Sequence, residues 1–336
     1  MMQSGGKPMS QRERIPYLEF LVVAGLLVFP MFASDFAVTF ATRALILCLL
    51  ALSFDLVWGY AGVMSFGQAL FFGAGGYATA LLARDLGVSS AFILLPVGAM
   101  TGVIVALVVG AFLFTGKSGA TMIFVALGTL IASYAAERGL AAWDYVGGFN
   151  GIPSFPALTI GSIELYEGTG FYLLALSVLI VAYLAVRFMT RSQLGLTLFA
   201  LREDEARIAF FGYRTSALRM MVFMIGAAIA GVGGQLAAFH DGFVAPTMVG
   251  VLMSTQAVIY VLLGGAGTRI GAVVGVLCIE ALRFHLPQNL LVIWPVALGV
   301  LLLMIVVFRP AGLVSLIIPD SELAGRYGKR LWKVRT

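Results

Sequence analysis

Residues 91–118 read AFILLPVGAMTGVIVALVVGAFLFTGKS, and this stretch decides the class of protein. Its first charged residue is Lys117, so the apolar run exceeds the roughly 20 residues that a helix needs to cross a bilayer. The stretch ends in GKS, as a phosphate-binding P-loop does, but that motif requires glycine where Ala111 stands and a Gly-rich turn after a strand. We therefore interpret residues 91–115 as a membrane span with Lys117 as its cytoplasmic flank, and we predict no ATP site here.

The composition extends this interpretation to the rest of the chain. Of 336 residues, 61% are hydrophobic and 11% are charged, and the mean hydropathy is +1.02. Soluble domains are about 45–50% apolar and about 25% charged, so a water-soluble fold is excluded. Cys48 and Cys278 lie in apolar runs without a C-x-x-C partner, which indicates packing rather than a disulfide or a metal site. We expect a lipid bilayer as the surroundings, and no metal, cofactor, catalytic residue or nucleic-acid partner.

Apolar runs recur along the chain, and we predict an all-α polytopic integral membrane protein with about ten transmembrane helices. A cytoplasmic N-terminus places all but four of the 21 Lys and Arg residues on the cytoplasmic side, as the positive-inside rule requires. The exceptions are Arg43 inside the second span and Arg84, Arg138 and Arg283 at outer ends. The predicted spans are 17–34, 37–57, 66–83, 91–115, 119–138, 171–189, 220–239, 249–264, 270–286 and 290–308.

The same topology divides the chain into three regions. Residues 1–16 form a cytoplasmic tail, residues 17–309 the transmembrane domain, and residues 310–336 a basic cytoplasmic tail. The longest outer segment is 139–170, and its Asn-Gly sequence could cap a pathway, dock a partner or form a simple turn. The longest cytoplasmic loop is 190–219.

Small and polar residues interrupt the apolar runs in both halves of the chain. Residues 58–68 read WGYAGVMSFGQ, and residues 263–268 read LGGAGT. Paired breaks at membrane depth indicate a substrate path, because unwound backbone is tolerated only where protein or a water-filled cavity satisfies it. Packing or a tight turn explains the first break equally well, and a plain cytoplasmic turn is favoured for the second. The pathway residues that we predict are Gly59, Gly62, Ser65, Gln68, Asn150, Ser254, Gln256, Gly264 and Gly265.

Other residues within the spans have simpler interpretations. Gly73, Gly75 and Gly76 are expected to let helices pack closely. Glu280 and Arg283 are three residues apart, so a mutual ion pair is predicted. Arg43 and Asp55 are too far apart in one span to pair, so each must point into the bundle or snorkel. His240 and His285 are expected at the interface, near outer helix ends.

The loop 190–219 contains the most distinctive polar segment. Residues 200–212, ALREDEARIAFFG, predict one short helix with acidic residues at its start and Gly212 just past its end. Leu201, Ile208 and Phe211 recur at helical spacing and give it an apolar face on the water side of the membrane. This face could dock on the bundle or in the groove of a partner, and the sequence leaves both open.

At this loop the chain resembles the LivM-type permeases, which are membrane subunits of branched-chain amino acid ABC importers. The resemblance covers about residues 40–315 in order and is carried by a set of short motifs. They are LREDE at 201–205 with Gly212, GYAG at 59–62 with SFG at 65–67, GKS at 116–118, GGFNG at 147–151, GFVAP at 242–246, LGGAGT at 263–268 and RPAGL at 309–313.

The resemblance implies a coupling helix seated in an ATPase groove, formed by Arg202, Glu203, Asp204, Glu205, Arg207, Ile208, Phe211 and Gly212. It also implies a second homologous permease subunit, two ABC ATPase subunits, an extracytoplasmic substrate-binding protein and a bacterial inner membrane. The chain would form half of the pathway for branched-chain or other apolar amino acids. It would work by alternating access, without a nucleotide-binding site of its own.

Several alternatives stay open. Urea or short-amide permeases and aromatic-carboxylate permeases belong to the same superfamily, although Gln256 and Ala266 depart from the pattern of urea-type relatives. A self-sufficient secondary carrier would use Asp55 or Glu280 to carry a coupling proton. A membrane-embedded enzyme has little support, because the chain has no H-E-x-x-H, no Cys/His pairing and no converging Ser/His/Asp signature.

Overall fold

The structure is a computed structural model that describes residues 11–114, 122–286, 294–308 and 312–313. Lys117 and most of both predicted tails lie outside these residues. The α-helices are α1 Gln11–Phe32, α2 Asp35–Phe54, α3 Gln68–Leu86, α4 Ala91–Phe114, α5 Met122–Ala142, α6 Thr169–Arg191, α7 Gln193–Glu203, α8 Glu205–Phe210, α9 Thr215–Asp241, α10 Val251–Gly264, α11 Arg269–Phe284 and α12 Trp294–Phe308. A π-helix, Asp55–Tyr60, continues α2, and three short 3-10 helices are Asp144–Val146, Gly148–Asn150 and Pro246–Val249.

The prediction of an all-α polytopic membrane protein is confirmed, and a helix overlaps each of the ten predicted spans. Within the described residues, five helices are long and apolar enough to cross a bilayer: Asp35–Tyr60, Ala91–Phe114, Met122–Ala142, Thr169–Arg191 and Thr215–Asp241. α10 and α11 add a sixth candidate if they count as one span, since a bend of 110° separates them. The number ten therefore stays a prediction.

The bundle is built around α9. Of the five long spans α9 is the most buried, with 72% of its most apolar stretch inside the protein, whereas α5 has only 17%. Glycines let α9 approach its neighbours: a Cβ added to Gly75 or Gly76 of α3 would run into the carbonyl oxygen of Gly231 or Gly234. Gly73 packs in the same way against Val249. The predicted packing role of these α3 glycines is confirmed.

One end of the bundle, which we call the coupling end, joins the π-helix, α7, α8 and the residues 265–268 between α10 and α11. Next to it, the buried Glu19 of α1 pairs with Arg187 of α6 and lies 3.8 Å from a guanidinium nitrogen of Arg269, while the Tyr183 hydroxyl donates to it at 2.6 Å. Arg187 and Arg269 were both predicted on the cytoplasmic side. Their shared partner brings the predicted cytoplasmic segments together.

The opposite end, which we call the outer end, is formed by residues 84–90, 143–165 and 240–250. Here the structure adds four short strands that an all-α prediction leaves out: β1 Ile152–Pro153, β2 Leu158–Ile160, β3 Ile163–Leu165 and β4 Phe243–Val244. β1 pairs antiparallel with β4, and β2 with β3. Segments that are distant in sequence therefore form one surface.

A polar corner fastens α3 to this surface. Arg84 pairs with Asp85 at 2.6 Å, and Arg84 also donates to the backbone oxygen of Tyr145 at 2.9 Å. The Tyr145 hydroxyl donates to the Asp85 carboxylate at 2.6 Å, and this hydrogen bond raises the pKa of the phenol above its ordinary value. The end of α3 and the segment 143–165 are thus held together by charge-assisted hydrogen bonds.

Candidate coupling surface and transport pathway

The predicted coupling helix is two helices, so the prediction of a single helix over 200–212 is wrong. Asp204 separates α7 from α8 with an extended backbone (φ −156°, ψ 97°), and its carboxylate accepts the N–H of Arg207 at 3.0 Å. An aspartate that satisfies a free N–H in this way begins a new helix rather than continuing the old one. Glu203 consequently ends α7. Gly212, with φ at +85°, takes the predicted position past the helix end.

The predicted apolar face also divides. Leu201 and Ile208 are buried within the protein, whereas Phe211 is 69% exposed. The adjacent Phe210 is 90% exposed and was missed by the analysis of helical spacing. Helical spacing gave no signal for this pair, since Phe71 and Phe72 of α3 are likewise consecutive and both are buried. We call Phe210 and Phe211 the aromatic pair.

Two arginines connect this surface to the bundle. Arg219 of α9, with a side chain only 5% exposed, pairs at 2.6 Å with Glu205, whose side chain is 42% exposed. Arg202 of α7 donates a hydrogen bond to the backbone oxygen of Gly59 in the π-helix. Arg202 and Glu205, both predicted to contact an ATPase, therefore also hold the loop on the protein.

The two predicted breaks meet at the coupling end. The buried carboxylate of Asp55 accepts the N–H of Gly267 at 2.6 Å. A Cβ added to Gly59 would collide with Asp55 and with the backbone of Gly267, and one added to Gly62 would meet the side chain of Arg202. Gly264 and Gly265 end α10 at this point, with Gly265 at φ +115°. The second break is a turn between α10 and α11, as favoured, and it also makes a tertiary contact with the first break.

The predicted polar residues near the start of α3 satisfy backbone and side-chain groups there. Ser254 of α10 accepts the N–H of Ala69 at 3.0 Å, and Ser65 accepts the N–H of Gly67 at 3.2 Å. The Ser53 hydroxyl donates to the amide oxygen of Gln68 at 3.5 Å. All of these side chains are fully buried. Their observed contacts are structural, and a role in the pathway stays a prediction for Ser65, Gln68 and Ser254.

The remaining predicted pathway residues, Asn150 and Gln256, lie toward the outer end. Asn150 is exposed and ends a 3-10 helix. Gln256 of α10 lines a cavity of about 320 Å³ together with residues of α2, α3 and α9. Arg43, His240 and Asp241 line the same cavity, although sequence reasoning did not bring them together.

The predicted ion pair of α11 is confirmed. An Arg283 nitrogen lies 3.7 Å from Glu280, and the Tyr260 hydroxyl donates to the same carboxylate at 2.6 Å. Glu280 is buried, and a buried charge is stable only with partners nearby. Arg283 and Tyr260 are those partners. His240 and His285 lie at the ends of α9 and α11, as expected, but His240 is buried, and the interfacial position stays a prediction.

A family comparison agrees with this arrangement. Residues 36–308 match a family described as the branched-chain amino acid transport system permease component. The chain belongs to this permease family. The match includes both breaks and the whole loop 190–219, and it confirms the resemblance inferred from the short motifs.

Curated relatives of the permease cover most of its length. It is 26% identical to the high-affinity branched-chain amino acid transport system permease protein LivM of Salmonella typhimurium, over 95% of this chain and 79% of that protein. The Escherichia coli protein of the same name is 25% identical, over 93% and 77%. A probable branched-chain amino acid transport permease protein LivM of Methanocaldococcus jannaschii is 26% identical, over 79% and 89%. No solved structure gives a significant match.

Proposed function

We propose that this permease is the membrane subunit of an ABC importer and forms half of a pathway for branched-chain or other apolar amino acids. The names of its LivM relatives support an amino acid over urea or an aromatic carboxylate. In this proposal two partner ATPases supply the energy, a second homologous permease completes the pathway, and an extracytoplasmic protein delivers the substrate. The assembly lies in the bacterial inner membrane with both termini of this chain in the cytoplasm, and this chain has no nucleotide-binding site of its own.

The observation that carries the proposal is the aromatic pair at the tip of a loop that is otherwise fastened to the bundle. Large apolar side chains exposed on the water side of a membrane protein are typical of a protein interface. The contacts of Arg202 with Gly59 and of Glu205 with Arg219 give a physical route from that interface to the two breaks. A force on the aromatic pair would then reach the residues where α2 and α10 are interrupted, as alternating access requires.

Replacing the aromatic pair tests the proposal. We expect Phe210→Asp with Phe211→Asp to release the ATPase subunits during co-purification and to abolish ATP-driven leucine uptake, because a carboxylate cannot enter an apolar groove. Both side chains are exposed, so the bundle should still fold. The measurements are the ATPase content of the affinity-purified complex and leucine uptake into proteoliposomes.

The matched control is Phe149→Asp, which changes an equally exposed phenylalanine at the outer end. It should leave the ATPases bound. Retention of the ATPases together with full uptake in the double variant would contradict the coupling assignment.

A further inference from the structure

The cavity at the outer end lies between α2, α9 and α10, beside the 3-10 helix Pro246–Val249. Its volume of about 320 Å³ falls at the lower end of the range of about 300–1,000 Å³ for sites that bind small molecules. Thr247 and Asp241 are exposed at its edge, so the space is accessible from the outer end. A small solute fits here better than a peptide or a cofactor.

Arg43 supplies a positive charge that is not neutralised by an ion pair within the described residues. It is an exposed residue of α2, next to the buried Thr42 and Ala44, and it lines the cavity. Within the described part of the chain, its guanidinium makes neither an ion pair nor a hydrogen bond, unlike Arg84, Arg219 and Arg283, which each have a carboxylate partner. A charge inside a membrane span is costly unless something pairs with it. A guanidinium suits a carboxylate because it can donate two parallel hydrogen bonds.

Asp241 supplies a negative charge in the same cavity. It is the last residue of α9, and its carboxylate lies 3.0 Å from Nδ1 of the buried His240. A carboxylate accepts this hydrogen bond, so His240 fixes its orientation. The C-terminal end of a helix also carries partial negative charge and favours a cation nearby. An ammonium group would therefore be stabilised beside Asp241.

The rest of the lining is mainly apolar. Besides the imidazole of His240, polar side chains here come from Thr247 and Gln256. A ligand with one carboxylate, one ammonium group and an aliphatic side chain matches all three parts of this cavity. The apolar walls are formed by Ile46, Leu47, Phe72, Leu252 and Met253, among others.

We propose that this cavity binds an aliphatic α-amino acid in its zwitterionic form, with Arg43 on the carboxylate, Asp241 on the ammonium group and the apolar walls around the side chain. The assignment rests on the proposed function and places a substrate site within this subunit. The substrate would pause here after release at the outer end.

Thiol protection measures binding at this cavity directly. In the complete complex, with Cys278→Ala to remove the partly exposed native thiol, Thr247→Cys places a reactive group on the cavity wall. We expect leucine to slow its modification by a hydrophilic thiol reagent. Leucine methyl ester, which lacks the anionic charge, and 4-methylpentanoate, which lacks the cationic charge, should need about tenfold higher concentration or more for equal protection, since tenfold is about 1.4 kcal/mol of lost interaction. Equal protection by leucine and both analogues overturns the assignment.

Charge variants in the same background identify the residues. Arg43→Ala and Asp241→Asn should each raise the half-protecting leucine concentration about tenfold or more. Arg138→Ala and Asp144→Asn change the same charges at the outer end but do not line the cavity, so they should leave it unchanged. If Arg43→Ala does not assemble, Arg43→Lys keeps the charge without the planar fork and should still weaken protection. Unchanged protection in the assembled cavity variants overturns the assignment.

ATP-driven uptake separates this inference from the proposed function. A wild-type complex that takes up no labelled branched-chain amino acid contradicts the proposed function. A complex that takes up leucine but shows no leucine protection at Thr247→Cys contradicts the cavity assignment alone.

Discussion

At the scale of single residues, Gly59 is a position where the two halves of the chain approach closely. Its carbonyl accepts the Arg202 side chain, while its α-carbon faces Asp55 and the backbone of Gly267. The Gly267 N–H is itself bound to Asp55, so the surrounding groups are already fixed. Gly59 lies in a π-helix, and π-helical segments within α-helices are frequently found at functional sites. The π-helix therefore agrees with a functional role for this contact.

We predict that Gly59→Ala destabilises the permease by about 1–3 kcal/mol and lowers ATP-driven uptake, because the added methyl group overlaps backbone atoms that cannot move independently. Gly139→Ala is the control, since no atom outside its own helix turn lies within 4 Å of a Cβ at this site. That change should be neutral or stabilising by up to about 1 kcal/mol. The midpoint of thermal unfolding in detergent measures both effects. A Gly59→Ala midpoint equal to that of Gly139→Ala would refute the close approach.

At the scale of elements, α8 is too short to be stable alone and depends on its attachments. Asp204 caps its start, Ile208 is buried, and Glu205 binds Arg219 of α9. The helix propensity of the residues in α8 does not predict any of these contacts. The position of the aromatic pair is consequently set by one buried aliphatic residue and one ion pair.

We predict that Glu205→Gln destabilises the permease by about 1–3 kcal/mol, because it leaves the buried Arg219 guanidinium without its charged partner. Glu203→Gln makes the same change on an exposed residue of α7 and should stay within about 0.5 kcal/mol of the wild type. Adding Arg219→Met to Glu205→Gln should restore part of the loss. Thermal unfolding of the four proteins forms the comparison, and equal midpoints for the two single variants would exclude a stabilising ion pair.

At the scale of the whole molecule, the contacts sort the chain into two ends. The loop 190–219, the π-helix and the second break meet at the coupling end, whereas the segments 143–165 and 240–250 meet at the outer end. The positive-inside rule predicted the same grouping from charge alone.

We predict that a membrane-impermeant thiol reagent added to intact cells labels Asn150→Cys but not Tyr213→Cys, and that both react after the cells are opened. Both positions are exposed and lie at opposite ends of the bundle. The unsubstituted protein, with Cys48 buried and Cys278 partly exposed, gives the background. Labelling of Tyr213→Cys in intact cells would reverse the proposed orientation.

Local patterns in the sequence were sufficient to predict the helix positions. A helix that crosses a bilayer needs a continuous apolar run of sufficient length, and such a run is visible in the sequence. The division at Asp204 was not predictable in this way, since an aspartate can either support one helix start or create another. The cavity was still less accessible to prediction. Arg43, His240 and Gln256 lie in three helices, and only tertiary packing brings them to one space. The charge of Arg43 within a span was the available signal.

Arg43 and Asp55 stand on the same helical segment, twelve residues or about 18 Å apart along its axis. Arg43 lines the cavity at the outer end, and Asp55 holds the second break at the coupling end. No loop or proline separates them, because the π-helix that begins at Asp55 continues α2 directly, so a rotation or slide of this segment moves both groups at once. Binding of a solute in the cavity and formation of the Asp55–Gly267 contact are then coupled. By thermodynamic reciprocity, if the bound solute favours this contact, the contact strengthens solute binding by the same factor. If a partner ATPase broke the Asp55–Gly267 contact, the affinity of the cavity for the solute would fall by that factor. Release of the solute would then follow the action of the ATPase, as import requires.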